Sequence, residues 1–220
     1  MFDEQKIQYF ISNLQSQFVH VDEIKSPFLR KIVLVSLLDS MSHAAYPKIN
    51  ENHKRVVCFL DKCSGWVDKD TISAQQLLLQ LQKSGITNSN LFLFAQNHVI
   101  GWQKGLGKLV EPKDDLVDNQ IPPIASEDEI KLINRVRYKE LLYTYRNNLV
   151  HDFSEPGHGV ELFDWAFPYY HHGEMKDPWE LVFSAPFFRK LCWDSIEGLE
   201  KHLRENTMNP YDSYQHESTW

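Results

Sequence analysis

The chain has 220 residues, 42% of them hydrophobic, and a formal net charge of −7 at pH 7. This composition can form one substantial core, and the acidic balance excludes a protein whose whole surface binds nucleic acid, because that requires clustered lysine and arginine. The chain has three cysteines, and no two of them form a CxxC pair. This argues against a disulfide framework or a zinc knuckle formed by Cys58, Cys63 and Cys192.

No apolar run is long enough to cross a bilayer, and the first residues lack the basic-then-apolar pattern of a signal peptide. We therefore expect a soluble, cytoplasmic protein without a membrane partner. The sequence also contains no internal repeat and no low-complexity tract. A single domain over residues 1–205, followed by a loosely held tail over 206–220, is the simplest organisation.

Helices are predicted for most of the first hundred residues, because apolar side chains recur there at spacings of three and four. These predicted helices cover residues 4–19, 28–41, 50–64 and about 73–85. Ser26-Pro27 provides a cap and a first-turn proline for the second helix, Asn50 is the expected cap of the third, and Gly65 ends it. The segment from Leu91 to Ile100 fits either helix or strand.

The second half of the chain is less regular. Residues 101–126 are rich in glycine, proline and charged residues, which predicts a long connection. Two apolar segments within about 160–183 flank a polar turn and predict a small hairpin, whose first strand begins near Val160 or as late as Phe167 to His171. A last helix from Pro186 to about Arg204 completes an all-α fold, an antiparallel helical bundle with a small β-hairpin.

One long helix is predicted over residues 127–151. Its apolar stripe extends from Ile130 to Leu149, Ser126 is the expected cap, and Pro156 and Gly157 follow its end. Between residues 129 and 151 five lysine and arginine residues stand against two glutamates. This helix is therefore basic within an acidic protein, although a solvated face would look the same.

Residues 146–151 read Arg-Asn-Asn-Leu-Val-His and close this helix. On an ideal α-helix five residues advance the side chain by about 500°, so Arg146 and His151 would stand about 140° apart. The two side chains can converge only if the last turn frays and the long arginine side chain bends toward the histidine.

These six residues resemble the signature of the HEPN superfamily (higher eukaryotes and prokaryotes nucleotide-binding), in which an arginine is followed by four to six residues, the first usually polar, and then by a histidine. Asn147 fits that polar position. The similarity extends over Tyr145–Gly157 and over Asp39–Gly65. It implies a helical bundle that forms a homodimer with two motifs facing one another, and in many members a metal-independent endoribonuclease. Other members have lost catalysis and bind a partner.

The resemblance also implies roles for individual residues. Arg146 would hold the scissile phosphate, His151 would transfer a proton or orient the attacking 2′-hydroxyl, and Asn147 would support the site. RNA contacts are expected from Lys139, Arg137 and Tyr145. We expect no metal and no cofactor. RNA is the expected substrate, and an antitoxin protein would be the partner if the chain belongs to a toxin or defence system.

Two alternatives compete with the nuclease. A histidine in a last helical turn interacts favourably with the helix dipole, and Arg146 could pair with Asp152 or Glu155 at the surface. A catalytically inactive HEPN-like dimer that binds a nucleotide, RNA or protein is the second functional alternative. The sequence shows neither a clear supporting acid nor a broad basic groove, and both absences favour it.

Overall fold

The computed structural model describes residues 3–102, 109–122, 126–157, 161–172 and 178–212. Within these ranges the helices are α1 (Asp3–Glu23), α2 (Pro27–Ala45), α3 (Asn52–Cys63), α4 (Ala74–Lys83), α5 (Asn90–Gly101), α6 (Glu127–Arg135), α7 (Tyr138–Asn147) and α8 (Ala185–Glu205). The strands are β1 (Leu109–Val110), β2 (Tyr169–His171) and β3 (Glu180–Val182). The predicted helical class with a small β element is confirmed. None of these helices has the length and apolar character needed to cross a membrane.

Local capping signals explain where several helices begin. The Ser26 hydroxyl accepts a hydrogen bond from the Leu29 amide at 3.3 Å, and Pro27 occupies the first turn, as the sequence predicts. The expected Asn50 cap of α3 is wrong, because Glu51 occupies the cap position and makes no side-chain capping bond. The segment from Leu91 to Ile100 is helical, within α5.

The last helix, α8, packs against α1, α2 and α3 and forms the centre of the bundle. Gly198 allows α8 to approach α3 closely, because a Cβ at this position would lie 2.0 Å from the carbonyl oxygen of Cys63. The predicted loose tail is wrong for its first part: the Tyr211 ring packs edge-on against Phe10 of α1, with ring centroids 5.5 Å apart. Residues 213–220 lie outside the described ranges.

The single helix predicted over residues 127–151 is divided into α6 and α7. An extended segment beside α4 causes the break, because it bonds to the backbone between the two helices. The Ser73 amide donates to the Val136 carbonyl at 3.0 Å, and the Tyr138 amide donates to the Thr71 carbonyl at 2.9 Å. These tertiary bonds replace helical ones, and α7 begins as a separate helix at Tyr138.

The sheet has the order β1-β2-β3, and both pairings are antiparallel. The predicted hairpin is present with the later of its two proposed starts, because β2 begins at Tyr169 and residues 161–163 are not in a strand. Val160 and the predicted turn at residues 173–177 lie outside the described ranges. Within its described residues 109–122, the predicted connection contributes β1 and two short 3₁₀ turns.

A buried carboxylate joins this connection to α4, α7 and the sheet. Asp115 accepts hydrogen bonds from the amides of Ala74 at 2.7 Å and Leu116 at 3.1 Å, and from the hydroxyls of Tyr138 at 3.0 Å and Tyr170 at 2.7 Å. Burial raises the pKa of Asp115 to about 6, although all four donors favour the charged form. One carboxyl group therefore holds four parts of the fold together: the connection, α4, α7 and the sheet.

Candidate functional site

The motif occupies the end of α7 and a π-helical turn, Asn148–Asp152, that follows it. The turn ends at Phe153, whose backbone is left-handed (φ 49°, ψ 42°) and whose amide donates to the Asn148 carbonyl. Because a π-turn bonds residues five apart, it brings such residues closer to one face than an α-helix does. Nη1 of Arg146 accordingly lies 3.3 Å from Nε2 of His151. The two side chains converge through a change of helix type, not through fraying.

Arg146 is buried, and an acid on α2 binds it. Its Nε lies 2.9 Å from a carboxylate oxygen of Asp39, and its Nη2 bonds the same carboxylate. Its Nη1 donates to the Asn147 side-chain oxygen at 2.8 Å. Asp39 is therefore the supporting acid that the sequence did not reveal. The available signal was an acidic residue within a strongly apolar predicted helix, since such a charge is buried only with a partner.

The contact with Arg146 defines the hydrogen-bonding role of Nε2 of His151. Arginine has only donors, so Nε2 of His151 accepts from Nη1 of Arg146 and carries no hydrogen in this arrangement. The His151 side chain is exposed to solvent. The end of α7 thus presents an imidazole beside a permanent cation, a pair that can accept a proton and stabilise an anion.

A buried lysine fixes the chain that follows the motif. Nζ of Lys31 lies 2.5 Å from a carboxylate oxygen of Glu155 and 2.5 Å from one of Glu161, and its side chain is fully buried. It also donates to the Tyr145 hydroxyl at 3.0 Å, which in turn donates to Glu155 at 2.7 Å. These bonds attach both ends of the segment after the π-turn to α2. Glu155 therefore pairs with Lys31 rather than with Arg146.

The structure corrects the expectation that Tyr145 contacts RNA. Its ring is buried, and it packs against Phe183 and Phe188 with ring centroids 5.5 and 5.8 Å away. Burial, and then the charge of Glu155, raise the pKa of its hydroxyl. A side chain in this position has no free face on which a base could stack, so Tyr145 belongs to the core beneath the site.

The other two expected RNA contacts are paired within the chain. Arg137 forms a bidentate pair with Asp118, with distances of 3.2 and 2.6 Å. Lys139 bonds Asp61 and Asp70, each at 2.8 Å. The basic character of the sequence around α7 is therefore largely neutralised by acids from other elements, and a phosphate would have to compete with these pairs.

A second imidazole lies on the α3 side of Arg146. Nε2 of His53 is 2.5 Å from a carboxylate oxygen of Glu140 on α7. The His53 ring packs against the Tyr143 ring with centroids 4.8 Å apart, and the Arg146 guanidinium lies 5.9 Å from the centre of the same Tyr143 ring. Tyr143 therefore contacts both His53 and Arg146. No sequence motif indicates His53, because the packing of α3 on α7 is what brings it close to the site.

Apolar side chains are exposed close to His151. Val150 is 37% and Phe153 is 66% exposed, and the Phe153 ring packs edge-on against Phe28 of α2 with centroids 4.8 Å apart. We call Val150 and Phe153 the exit patch. Among the described residues no three histidine, cysteine or carboxylate side chains cluster as metal ligands.

Comparison with known proteins adds no relative. No family model, no curated protein and no solved structure matches the chain. The motif and its geometry are therefore the grounds for a functional proposal.

Proposed function

We propose that the protein is a HEPN-like endoribonuclease that cleaves RNA by attack of the 2′-hydroxyl on the adjacent phosphate, without a metal ion. The observation that carries the proposal is the 3.3 Å contact between Arg146 and His151 at an exposed helix end. This contact supports the proposal because it brings the arginine and the histidine of the motif together.

The chemistry suits these two side chains. A neutral imidazole can remove the proton of the 2′-hydroxyl, and a guanidinium can stabilise the negative charge that develops on the phosphate oxygens. Asp39 and Asn147 hold the guanidinium in place before the substrate binds. Less conformational entropy of the arginine side chain is therefore lost when the substrate binds. The phosphate would replace part of this network when it approaches Arg146.

We expect purified protein to cleave RNA in the presence of EDTA, to leave DNA intact, and to produce 2′,3′-cyclic phosphate ends. His151→Ala should slow cleavage by about 100-fold or more, because it removes the proton acceptor. Arg146→Lys should also be slower, because lysine keeps the charge but loses the planar fork that binds Asp39 and phosphate together. The measurement is cleavage of end-labelled single-stranded and structured RNA.

His20→Ala is the matched control, since His20 is an exposed histidine on α1. Each variant should first be shown to have the melting temperature of the wild type, so that a loss of cleavage does not reflect unfolding. Cleavage that EDTA abolishes, or that both site variants retain at the wild-type rate, would contradict the proposed mechanism.

We further propose a homodimer in which the two motifs face one another across the exit patch. The support is the position of Val150 and Phe153 beside His151 and their exposure in a single chain. Light scattering at micromolar concentration should give twice the chain mass of 25.9 kDa. Phe153→Asn should shift the equilibrium toward the monomer, because asparagine tolerates the left-handed backbone but removes the ring. Val67→Asn, at an exposed position after α3, is the control.

A monomeric wild-type protein would contradict the dimer. It would also weaken the nuclease, because the proposed cleft is built from two motifs.

A catalytically inactive binding module is the second candidate, and a specific observation favours it. The Arg146 guanidinium is already bonded to Asp39, Asn147 and His151, and nearby basic residues are paired with acids. Binding without cleavage would appear as a change in the anisotropy of a labelled RNA that stays intact. An antitoxin protein as partner is a proposal that rests on the HEPN resemblance alone, and co-purification with the product of a neighbouring gene would test it.

A further inference from the structure

We propose that His53 is a second catalytic residue of this site, the acid that protonates the leaving 5′-oxygen, and that Glu140 is its positioning residue. The inference rests on the proposed nuclease and extends it, because it assigns the second proton transfer to a residue outside the motif.

The reaction requires two separate proton transfers. The 2′-oxygen attacks phosphorus while the bond from phosphorus to the 5′-oxygen breaks, and the two oxygens lie on opposite sides of the phosphorus atom. One imidazole cannot serve both oxygens at once. Arg146 cannot release a proton in a protein, so a second titratable group beside it is needed.

The position of His53 meets this requirement. His53 lies against the Tyr143 ring from α3, the Arg146 guanidinium lies against the same ring, and His151 contacts Arg146 from the π-turn. The His53 side chain is 41% exposed, so a substrate can approach it. A nucleotide bound at Arg146 would lie over Tyr143, with one imidazole near each end of the reacting group.

Donor and acceptor chemistry assigns opposite roles to the two imidazoles. An ionised carboxylate only accepts, so Nε2 of His53 carries a hydrogen toward Glu140. His151 is unprotonated at Nε2 because it accepts from Arg146. His151 therefore suits the base and His53 the acid.

Other charged groups near His53 are already paired. Lys54 forms a 2.6 Å pair with Glu51. Arg55 bonds the side chain of Asn52 at 2.6 Å and a backbone carbonyl. On α2, burial and then the charge of Arg55 lower the pKa of His43. Glu140 is thus the carboxylate that the described contacts place directly against the His53 ring.

The complete step balances as a transesterification. The proton of the 2′-hydroxyl passes to His151, the 2′-oxygen bonds to phosphorus, the bond to the 5′-oxygen breaks, and the 5′-oxygen takes the proton of His53. The products are a 2′,3′-cyclic phosphate and a 5′-hydroxyl, and no oxidant, reductant or metal ion takes part. The enzyme is left with its two imidazoles in exchanged protonation states, which solvent resets.

The test compares ordinary RNA with RNA in which sulfur replaces the bridging 5′-oxygen at the cleavage site. A thiolate leaves without protonation, so the acid is needed only for the ordinary substrate. His53→Gln should slow cleavage of ordinary RNA by about 100-fold or more and should abolish the fall in rate at alkaline pH. With the sulfur substrate the same variant should cleave at close to the wild-type rate, whereas His151→Gln should stay slow on both.

Glu140→Gln should show a smaller loss that the sulfur substrate also restores, and His20→Gln should match the wild type throughout. A His53→Gln variant that keeps the wild-type pH profile, or that sulfur does not rescue, would overturn the assignment while the nuclease stands. Wild-type protein that cleaves neither substrate would overturn the proposed function and this assignment with it.

Discussion

Lys31→Met is expected to lower the free energy of unfolding by about 3 to 5 kcal/mol, the usual cost of removing one partner from a buried ion pair. Lys31 is fully buried, and its ammonium lies 2.5 Å from both Glu155 and Glu161. Without it, two carboxylates would remain close together with no cation between them, and the Tyr145 hydroxyl would lose a donor. Urea denaturation monitored by circular dichroism measures the loss.

Two further variants make this prediction specific. Lys54→Met removes an exposed lysine and should change stability by no more than about 0.5 kcal/mol. Combining Lys31→Met with Glu155→Gln and Glu161→Gln should recover part of the loss, because it removes the unpaired charges as well. If the Lys31→Met protein has the same midpoint of urea denaturation as the wild type, the lysine does not stabilise the segment after the π-turn.

Gly198→Ala is expected to destabilise the protein by about 3 kcal/mol or more, the upper part of the range for overpacking. The new Cβ would lie 2.0 Å from the carbonyl oxygen of Cys63, and backbone atoms cannot move aside as a flexible side chain can. Alanine favours a helix over glycine by about 1 kcal/mol, so the clash outweighs the gain in helix propensity. The melting temperature should fall accordingly.

Gly101→Ala is the matched control, because Gly101 also lies in a helix and a Cβ there meets nothing within 4 Å. It should leave the melting temperature unchanged or raise it. A Gly198→Ala protein as stable as the wild type would show that α8 and α3 can separate without cost.

The sequence predicts those structural features that depend on residues close together in the chain. The Ser26 cap, the apolar stripes and the arginine and histidine of the motif are such features, because capping and amphipathic spacing act within one or two turns. The break between α6 and α7 is different. It depends on hydrogen bonds from residues 71–73, more than sixty positions earlier, and tertiary bonds of this kind override a continuous helical pattern.

The sequence indicates only some of the residues that surround the motif in the structure. Lys31 and Asp39 are charges within an apolar helix, which predicts that each is buried with a partner, but the pattern does not name that partner. His53 had no such signal, because a histidine on a solvated helix is ordinary. The packing of α2, α3 and α7 brings these residues together, and that arrangement is a property of the whole fold.

The π-turn has a consequence for how the motif tolerates changes in length. On an α-helix a histidine four residues after the arginine would stand about 40° from it, while one at five residues would stand about 140° away. The widened turn absorbs the additional residue and restores the shared direction. The π-turn therefore gives the Arg146 and His151 side chains similar directions around the helix axis, although five positions separate them along the chain.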